Sequence, residues 1–447
     1  MKLKRFAAFT ASLASAAIMA AALPLNALAA GTDYSTDRVN AADMESVDFT
    51  KYLVMDVNAN VPNAEFTYSI AGIDEEDAIA ATETTLAVLP GVGSPKFKAG
   101  DETSDTGTAA FTPEDTTKLE SEKGDDTVEF VTPDTTDEKY AQKTITLDFS
   151  EVVFTEPGVY RYILTETNDA PQGVTNDPVI ERTLDVYVQD ASTDEAKLLE
   201  IAAYVMYKDT IDTAPKIDKT TEDPNEVPNG AEASSDKIFS YTNKYTTYDL
   251  HFGKEVEGNQ GSKDKYFAFT VSLSGAVAGT KYTVDLSEAD AAAGSNSATK
   301  AEYRGKANPN VMIADENGEA TATFYLQDGQ YIVIQGLAEN TGYSVEEEAE
   351  DYASSSGTDR EAIAEIPAQG TEGDESYVDA VPAKPYNDSP TGTMTSDIYT
   401  GYTNTREGVI PTGILLSIAA PAVIGVIVLS GIVILLIRGR KRKAEEE

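Results

Sequence analysis

Short runs of alternating apolar and polar residues recur along most of the chain. They are rich in β-branched and aromatic residues and are bounded by Gly, Pro, Asn or Asp, whereas sustained apolar patterns of helical period are scarce. The pattern predicts strands at Phe66–Ile70, Thr144–Phe149, Val159–Thr165, Thr183–Val188, Tyr266–Leu273, Ala320–Leu326 and Gln330–Gln335. Strands at this spacing predict an all-β fold of two tandem immunoglobulin-like β-sandwich domains.

Two halves of the chain repeat the same order of segments. The first half contains DFTKYLVMDV, AEFTYSI, GVYRYILTE and IFSYTNKY, and the second contains LHFGKEVEG, YFAFTVSL, GYSVEEE and YTGYTNTRE. We expect one domain at 33–246 and another at 249–406, which abut because few residues separate them. Residues 72–143, rich in Thr, Asp, Glu and Gly, are predicted to be an insertion of irregular surface structure.

Both ends of the chain carry targeting signals. Lys2, Lys4 and Arg5 precede an apolar stretch that ends in a small-residue Ala-Leu-Ala site, which predicts a cleaved signal peptide at 1–29 rather than a permanent anchor. Residues 413–437 contain no ionisable side chain and are long enough for a transmembrane helix. The basic tail at 438–447 is expected to stay in the cytoplasm, so the residues between the two signals are predicted to lie outside the cell.

Composition excludes several classes of function. The formal net charge of −42 argues against a nucleic-acid partner, and the absence of cysteine excludes disulfides as reinforcement. With a single histidine, His251, which we expect on the surface, and no recognisable catalytic or zinc motif, the sequence does not indicate a turnover enzyme or a cofactor. The acidic run Asp74–Asp77 lacks the spacing of a calcium loop, so no metal site is predicted.

Each half carries one lysine, one glutamate and one asparagine in rows of apolar residues. Side chains two residues apart share a face of a strand. By this alternation Lys51 and Lys254 lie on core-facing rows of the opening strands, Glu166 and Glu347 on those of later strands, and Asn243 and Asn404 on those of the closing strands. The alternative is that these are polar residues at strand ends, and Glu347, flanked by two further glutamates, is the most sensitive to a shift of register.

Three such groups buried together can react. Burial lowers the pKa of a lysine, which frees its amine to attack the asparagine side-chain carbonyl, and ammonia then leaves. Burial raises the pKa of a carboxyl group, so the glutamate can carry a proton to the carbonyl oxygen and onward to the leaving nitrogen. The product is a neutral amide that removes the cost of the buried charges, and each site reacts once.

These segments resemble Gram-positive pilin subunits with intramolecular isopeptide domains, of the streptococcal major-pilin type and related to collagen-adhesin B-type modules. The resemblance is carried by FTKYL and FGKEV, by YRYILTE and YSVEE, and by the two YTN tripeptides. It implies a bond from Lys51 to Asn243 assisted by Glu166, and a bond from Lys254 to Asn404 assisted by Glu347.

The segment before the predicted transmembrane helix resembles a sortase signal of the QVPTG-like class. It consists of Val409, Ile410, Pro411, Thr412 and Gly413. The resemblance implies cleavage between Thr412 and Gly413 by a sortase of class B or C, with transfer of the threonine carbonyl to an amine. Pro411 keeps this segment extended and accessible.

Two functions remain open at this stage. If the sortase acceptor is a lysine of another subunit, the protein is a structural pilin, and Lys237 and Lys216 are the candidate acceptors. If the acceptor is cell-wall peptide, the protein is a singly anchored adhesin that binds a host or neighbouring-cell ligand through its loops. In both cases the protein is expected to be secreted, to span the membrane until sortase cleavage, and then to be attached to the cell wall.

Overall fold

The protein is described here by a computed structural model, which covers residues 44–130, 137–167, 170–192, 198–216, 237–288, 309–359 and 386–408. These residues are built from β-strands, with single-turn 3-10 helices at Glu75–Asp77, Glu120–Glu122 and Gly357–Asp359. The prediction of an all-β fold is therefore confirmed. Across these ranges, no helix has the length and apolar character needed to cross a membrane. The predicted signal peptide, sortase motif, transmembrane helix and basic tail lie outside the described residues.

The first domain, as we call the part up to Tyr245, contains strands β1 to β13. They are β1 (Ser46–Asp56), β2 (Ala64–Gly72), β3 (Val88–Pro90), β4 (Lys96–Ala99), β5 (Glu102–Ser104), β6 (Gly107–Phe111), β7 (Thr117–Leu119), β8 (Glu138–Asp148), β9 (Gly158–Glu166), β10 (Val174–Thr175), β11 (Glu181–Asp190), β12 (Leu199–Met206) and β13 (Ser240–Tyr245).

The second domain, from Thr247 onward, contains strands β14 to β23. They are β14 (Thr247–Glu257), β15 (Phe267–Ser274), β16 (Lys281–Glu288), β17 (Val311–Ile313), β18 (Ala320–Leu326), β19 (Gln330–Ala338), β20 (Gly342–Glu347), β21 (Ala353–Ser356), β22 (Thr391–Thr393) and β23 (Ile398–Thr405). All seven strands that the sequence pattern predicted coincide with or overlap strands of the structure.

Each domain consists of two sheets. In the first domain the order of one sheet is β10-β13-β1-β8-β4-β5, with β7 also on β8, and that of the other is β12-β11-β9-β2-β6, with β3 also on β9. In the second domain the orders are β17-β16-β19-β14-β23-β21 and β18-β15-β20-β22. The main core of each domain draws its buried residues from both of that domain's sheets.

The first strand of each domain pairs in parallel with the last, in an equivalent register. Lys51 of β1 lies opposite Tyr241 of β13, two residues before Asn243. Lys254 of β14 lies opposite Tyr402 of β23, two residues before Asn404. The glutamates come from the facing sheets, Glu166 at the end of β9 and Glu347 at the end of β20. The topology therefore brings three distant parts of each domain together across its core.

The prediction of irregular structure at 72–143 was wrong. This segment contains β3 to β7 and the start of β8, which extend both sheets of the first domain. β6 shows alternating burial over Gly107–Phe111 and pairs with β2. Pairing at sheet edges satisfies the backbone groups of short strands whose own side chains give only a weak periodic signal.

The prediction of a surface position for His251 was also wrong. Its imidazole is buried and stacks on the Tyr399 ring with 4.2 Å between ring centroids and 10° between planes. Tyr386 packs edge-on against Tyr399 and covers the same face of the sheet. Alternation along β14 correctly separates His251 from the row of Lys254, but this second row is covered as well.

Candidate functional site

The first candidate site joins Lys51, Glu166 and Asn243 in the core of the first domain. Lys51 Nζ lies 2.6 Å from Glu166 Oε2, and Asn243 Nδ2 donates a hydrogen bond to Glu166 Oε1 at 2.6 Å. The side chains of Lys51 and Glu166 are both fully buried. One carboxyl group thus contacts the amine and the side-chain amide nitrogen through its two different oxygens.

The second candidate site repeats this arrangement with Lys254, Glu347 and Asn404. Lys254 Nζ lies 2.8 Å from Glu347 Oε1, and Asn404 Nδ2 donates to the same oxygen at 2.9 Å. Ser354 Oγ donates to Glu347 Oε2 at 3.0 Å. The structure therefore selects Glu347 from three consecutive glutamates, because only the middle one points into the core.

Burial shifts the acid–base equilibria of both sites toward the uncharged forms. Loss of water lowers the pKa of Lys51 to about 8, although the neighbouring Glu166 carboxylate works in the opposite direction. Burial likewise raises the pKa of Glu347, against the effect of the Lys254 ammonium. The less basic lysine of the first site and the more basic carboxylate of the second each favour proton transfer from the ammonium to the carboxylate.

An aromatic ring covers each lysine. Lys51 Nζ lies 4.5 Å from the centre of the Phe66 ring, and Lys254 Nζ lies 4.5 Å from that of Phe267. These rings stabilise the ammonium through their negative faces and keep water away from the amine. Phe66 and Phe267 come from the equivalent segments AEFTYSI and YFAFTVSL, so the repeated sequence supplies both of these rings.

Sequence reasoning missed the tyrosines that hold the closing strands. Tyr241 Oη donates to the Leu164 carbonyl at 2.8 Å, and Tyr402 Oη donates to the Val345 carbonyl at 2.7 Å. Each bond links a tyrosine two residues before the asparagine to a carbonyl two residues before the glutamate. The repeated Tyr-Thr-Asn motif was the available signal, because positions two apart share a face.

The two sites differ at one aromatic position. Tyr68 lies opposite Glu166 in the sheet and donates its hydroxyl to Glu166 Oε2 at 2.8 Å. Phe269 holds the corresponding place opposite Glu347 and has no hydroxyl group. In the first site the carboxyl group therefore receives a hydrogen bond that the second site replaces with one from Ser354.

The orientation of the Asn243 amide differs from the sequence expectation. Glu166 was expected to carry a proton to the carbonyl oxygen, but the carboxyl group faces the amide nitrogen. Asn243 Oδ1 instead accepts a hydrogen bond from the Asp177 backbone N–H at 2.7 Å. In this geometry the carboxyl group can move protons between the two nitrogens, while another group faces the carbonyl oxygen.

The remaining candidate residues lie away from the two sites. Lys216 is exposed and forms an isolated bridge with Thr85, and Lys237 is half-buried and bridges Tyr207 just before β13. The structure does not bring either lysine into contact with Lys51, Glu166 or Asn243. Within the described ranges there is no group of three or more metal-ligating side chains.

Comparisons with known proteins match both domains. Residues 47–246 match the family model of the Spy0128-like isopeptide containing domain. Residues 248–406 match a family described as Domain of unknown function (DUF7601). A curated relative, the pilin of Streptococcus pyogenes serotype M1, is 25% identical over 423 residues, which cover 91% of this chain and 94% of the relative.

Two solved structures that match over most of their length are major pilins. The major pilin from Streptococcus pyogenes matches at 21% identity and a TM-score of 0.43, covering 81% of this chain and 99% of that one. The T3.2 major pilin from Streptococcus pyogenes serotype GAS13637 matches at 18% identity and a TM-score of 0.42, with 82% and 99% covered.

Proposed function

Residues 47–246 belong to the Spy0128-like isopeptide containing family, and from this premise we propose that the chain is a structural pilin-like surface protein. Each of its domains is locked by its own isopeptide bond, from Lys51 to Asn243 and from Lys254 to Asn404. A sortase then joins the subunit to others, or to cell-wall peptide, through 409–413. The observation that carries this proposal is the repeated buried contact of lysine, glutamate and asparagine.

The reaction in the first domain begins with proton transfer from the Lys51 ammonium to Glu166. The neutral amine attacks Cγ of Asn243, a carbon–nitrogen bond forms, and the carbonyl electron pair moves to Oδ1. Glu166 gives its proton to Nδ2 and takes one from the former lysine nitrogen. The bond from Cγ to Nδ2 then breaks, ammonia leaves, and the carbonyl re-forms as an amide.

The reaction removes the two buried charges that make each site costly. An ion pair in a core loses more hydration free energy than neutral groups do, and the geometry of the pair must be close to ideal to offset this loss. After the reaction a neutral amide and a protonated carboxyl group remain. Each site is consumed in one turnover, so the chain is its own substrate and not an enzyme.

The bonds suit a protein that carries tension. Each one joins the first strand of a domain to the last, so a force applied along the chain passes through the covalent link. The strands between Lys51 and Asn243 are then bypassed. A chain without cysteine gains in this way the reinforcement that exported proteins often obtain from disulfides.

Intact-mass measurement of the recombinant chain from residue 30 to residue 408 tests the cross-links. We expect the mass to fall short of the translated sequence by two ammonia molecules. Lys51→Ala and Lys254→Ala should each restore one of them. A wild-type chain with its full translated mass would overturn the proposed bonds.

Wall extracts of the native host cells test assembly. A ladder of multimers resistant to sodium dodecyl sulfate is expected if the chain polymerises, and Lys237→Arg and Lys216→Arg would identify the acceptor. A single band released from the wall would instead favour a singly anchored adhesin. Thr412→Ala serves as the control, because it should abolish both covalent products.

A further inference from the structure

The Asn243 side-chain oxygen in the first site has a hydrogen-bond donor in place before any reaction. The Asp177 backbone nitrogen lies 2.7 Å from Asn243 Oδ1 and donates a hydrogen bond to it. Negative charge develops on this oxygen during attack by Lys51. We propose, on the basis of the cross-linking reaction above, that this backbone N–H is the oxyanion donor of the first domain. Arg182 is the residue that positions it.

Asp177 is held by the backbone of β13, the strand that carries Asn243, and by Arg182 of β11. Its Oδ2 accepts hydrogen bonds from the Thr242 backbone N–H at 2.8 Å and from the Arg182 guanidinium at 2.7 Å. Arg182 also donates to the Ser240 carbonyl oxygen. Asp177 therefore contacts the backbone one residue before Asn243 with its side chain and contacts Asn243 itself with its N–H.

The Asp177–Arg182 pair lies in the core rather than at the surface. Both side chains are 1% exposed, and the guanidinium lies 4.3 Å from the centre of the Tyr241 ring. Tyr241 is in turn the residue opposite Lys51 in the parallel pair of strands. A buried hydrogen-bonded network of this kind keeps the N–H in position when charge appears on Oδ1.

The position of Glu166 leaves stabilisation of the oxyanion to another donor. Both oxygens of Glu166 contact nitrogens, one on Lys51 and one on Asn243, so the carboxyl group faces the proton transfers rather than the oxyanion. In a core from which water is excluded, an oxyanion without a donor is costly. Removal of one oxyanion-hole donor lowers the rate of acyl-transfer enzymes by roughly 10²–10³-fold.

The second domain lacks this feature in the part of the chain that the structure describes. There, Asn404 Oδ1 is buried without a hydrogen-bond partner. The two sites thus share the reacting groups but differ in what faces the carbonyl oxygen. The bond between Lys51 and Asn243 is therefore expected to form faster than the bond between Lys254 and Asn404.

A time course during cell-free synthesis tests the proposal. Samples of the chain from residue 30 to residue 408 are quenched in acid and digested, and each cross-linked peptide is quantified by mass spectrometry. The decisive variant has the α-hydroxy analogue of aspartate at position 177, introduced by nonsense suppression. It replaces the N–H by an ester oxygen and keeps the carboxylate.

We expect the ester to slow the first bond by about 100-fold and to leave the second bond unchanged. Arg182→Gln should also slow the first bond, and Arg182→Lys should restore part of the rate. Arg161→Gln is the matched control, because Arg161 forms an equally buried pair with Asp185 but does not contact Asp177 or Asn243 in the structure. Near-UV circular dichroism monitors the folding of each variant.

The outcomes separate this proposal from the proposed function. A wild-type chain that forms no bond at all overturns the cross-linking reaction itself. A wild-type chain that forms the first bond, together with an ester variant that forms it at the same rate, overturns only the role of the Asp177 N–H. Equal slowing by Arg182→Gln and Arg161→Gln would assign Arg182 to folding alone and exclude it as the positioning residue.

Discussion

Each candidate site buries an ammonium and a carboxylate that folded proteins ordinarily keep in water. In the first site the ion pair is fully enclosed, and the same loss of water lowers the pKa of Lys51 to about 8. Proton transfer to Glu166 therefore yields a neutral pair at a smaller cost than it would in solution. The individual residues are ordinary, and the reactivity proposed for them depends on where the fold puts them.

Glu166→Gln tests the proton relay at the residue scale. Glutamine keeps the size of the side chain but cannot take a proton from the Lys51 ammonium. We expect the first bond to form about 10²–10⁴-fold more slowly. In intact-mass spectra taken when the wild type has just lost both ammonia molecules, the variant should show the loss of only one, from the second domain. Glu181→Gln, at an exposed position of β11, is the control, and loss of two ammonia molecules at the wild-type rate would contradict the relay.

Asp249 should make the free energy of unfolding depend on pH. Burial raises the pKa of its carboxyl group to about 6, reinforced by Asp397, Asp56 and Asp285 and opposed by the Gly336 N–H at 2.9 Å. Because the folded-state pKa lies above the unfolded value, the favourable contribution of Asp249 is fully present below about pH 4 and is lost as the pH rises through 6.

Asp249→Asn should therefore change stability little at pH 4 and raise the free energy of unfolding at pH 7 by about 2–3 kcal/mol. Urea unfolding of variants without the cross-links, followed at both pH values, measures this difference. Asp74→Asn, at an exposed carboxylate, is the control for the substitution itself. An equal effect of Asp249→Asn at pH 4 and pH 7 would show that its ionisation is not the cause.

At the scale of strands, the parallel pairing of β1 with β13 and of β14 with β23 determines how each proposed bond would carry a force. The termini of a domain are pulled in opposite directions, and the paired first and last strands meet that load side by side. Without a covalent link, shear of this pair would load the hydrogen bonds between the strands together until they break. The proposed covalent link from Lys51 to Asn243 would prevent the intervening strands from being drawn out.

Single-molecule pulling of the first domain tests this element-scale argument. The roughly 190 residues between Lys51 and Asn243 would add about 650 Å of contour length if they were free to extend. We expect no such step in the wild-type chain and one step of this length in Asn243→Ala, which leaves the Lys51–Glu166 pair intact. Asn58→Ala, at an exposed position after β1, should behave as wild type. A full-length step in the wild type would show that no bond from Lys51 to Asn243 carries the force.

Alternation along strands predicted much of the candidate site but not its surroundings. It placed Lys51 and Asn243 on core-facing rows because a period of two is unambiguous inside an apolar run. It could not find Asp177, whose role comes from a loop that returns to the closing strand, or the pairing of Tyr68 with Glu166. Contacts of this kind depend on the tertiary arrangement and leave no local pattern.

Some residues on the face opposite the main core are buried, although alternation alone would place them at the surface. Tyr52 and Val54 alternate with Lys51 on β1, yet they are also buried, because Val128 and Tyr140 form a second small cluster on that side. His251 is covered in the same way in the second domain. A pattern of alternation identifies the main core, but it does not reveal an additional layer that a distant segment lays over the opposite face.

At the scale of the whole molecule, hydrogen bonds at the junction hold the two domains together in addition to the linker. Thr246 N donates to the Gly173 carbonyl at 2.8 Å, and the Glu339 N–H donates to the Thr246 carbonyl at 3.1 Å. Asn60 Nδ2 donates to the Lys281 carbonyl oxygen at 2.8 Å across the junction. Tension that leaves the first domain at Tyr245 therefore enters the second through a supported segment rather than a free hinge.

Gly336→Ala tests this junction. Gly336 has φ +73°, and a Cβ placed there would lie 2.8 Å from Ala59 Cα of the first domain. The methyl group should push the domains apart, because backbone atoms on both sides cannot give way as a flexible side chain would. We expect a larger radius of gyration by small-angle X-ray scattering and an unfolding free energy lower by about 1–3 kcal/mol.

Gly100→Ala separates the steric effect from the backbone effect. Gly100 has a similar φ of +63°, but a Cβ at this position meets no atom within 4 Å. Both substitutions place a side chain in the left-handed region at a comparable conformational cost, and only the one at Gly336 also meets the neighbouring domain. The two variants could instead show the same radius of gyration and the same loss of stability. The contact between Gly336 and Ala59 would then not hold the domains together, and the junction would depend on Asn60 and the linker hydrogen bonds.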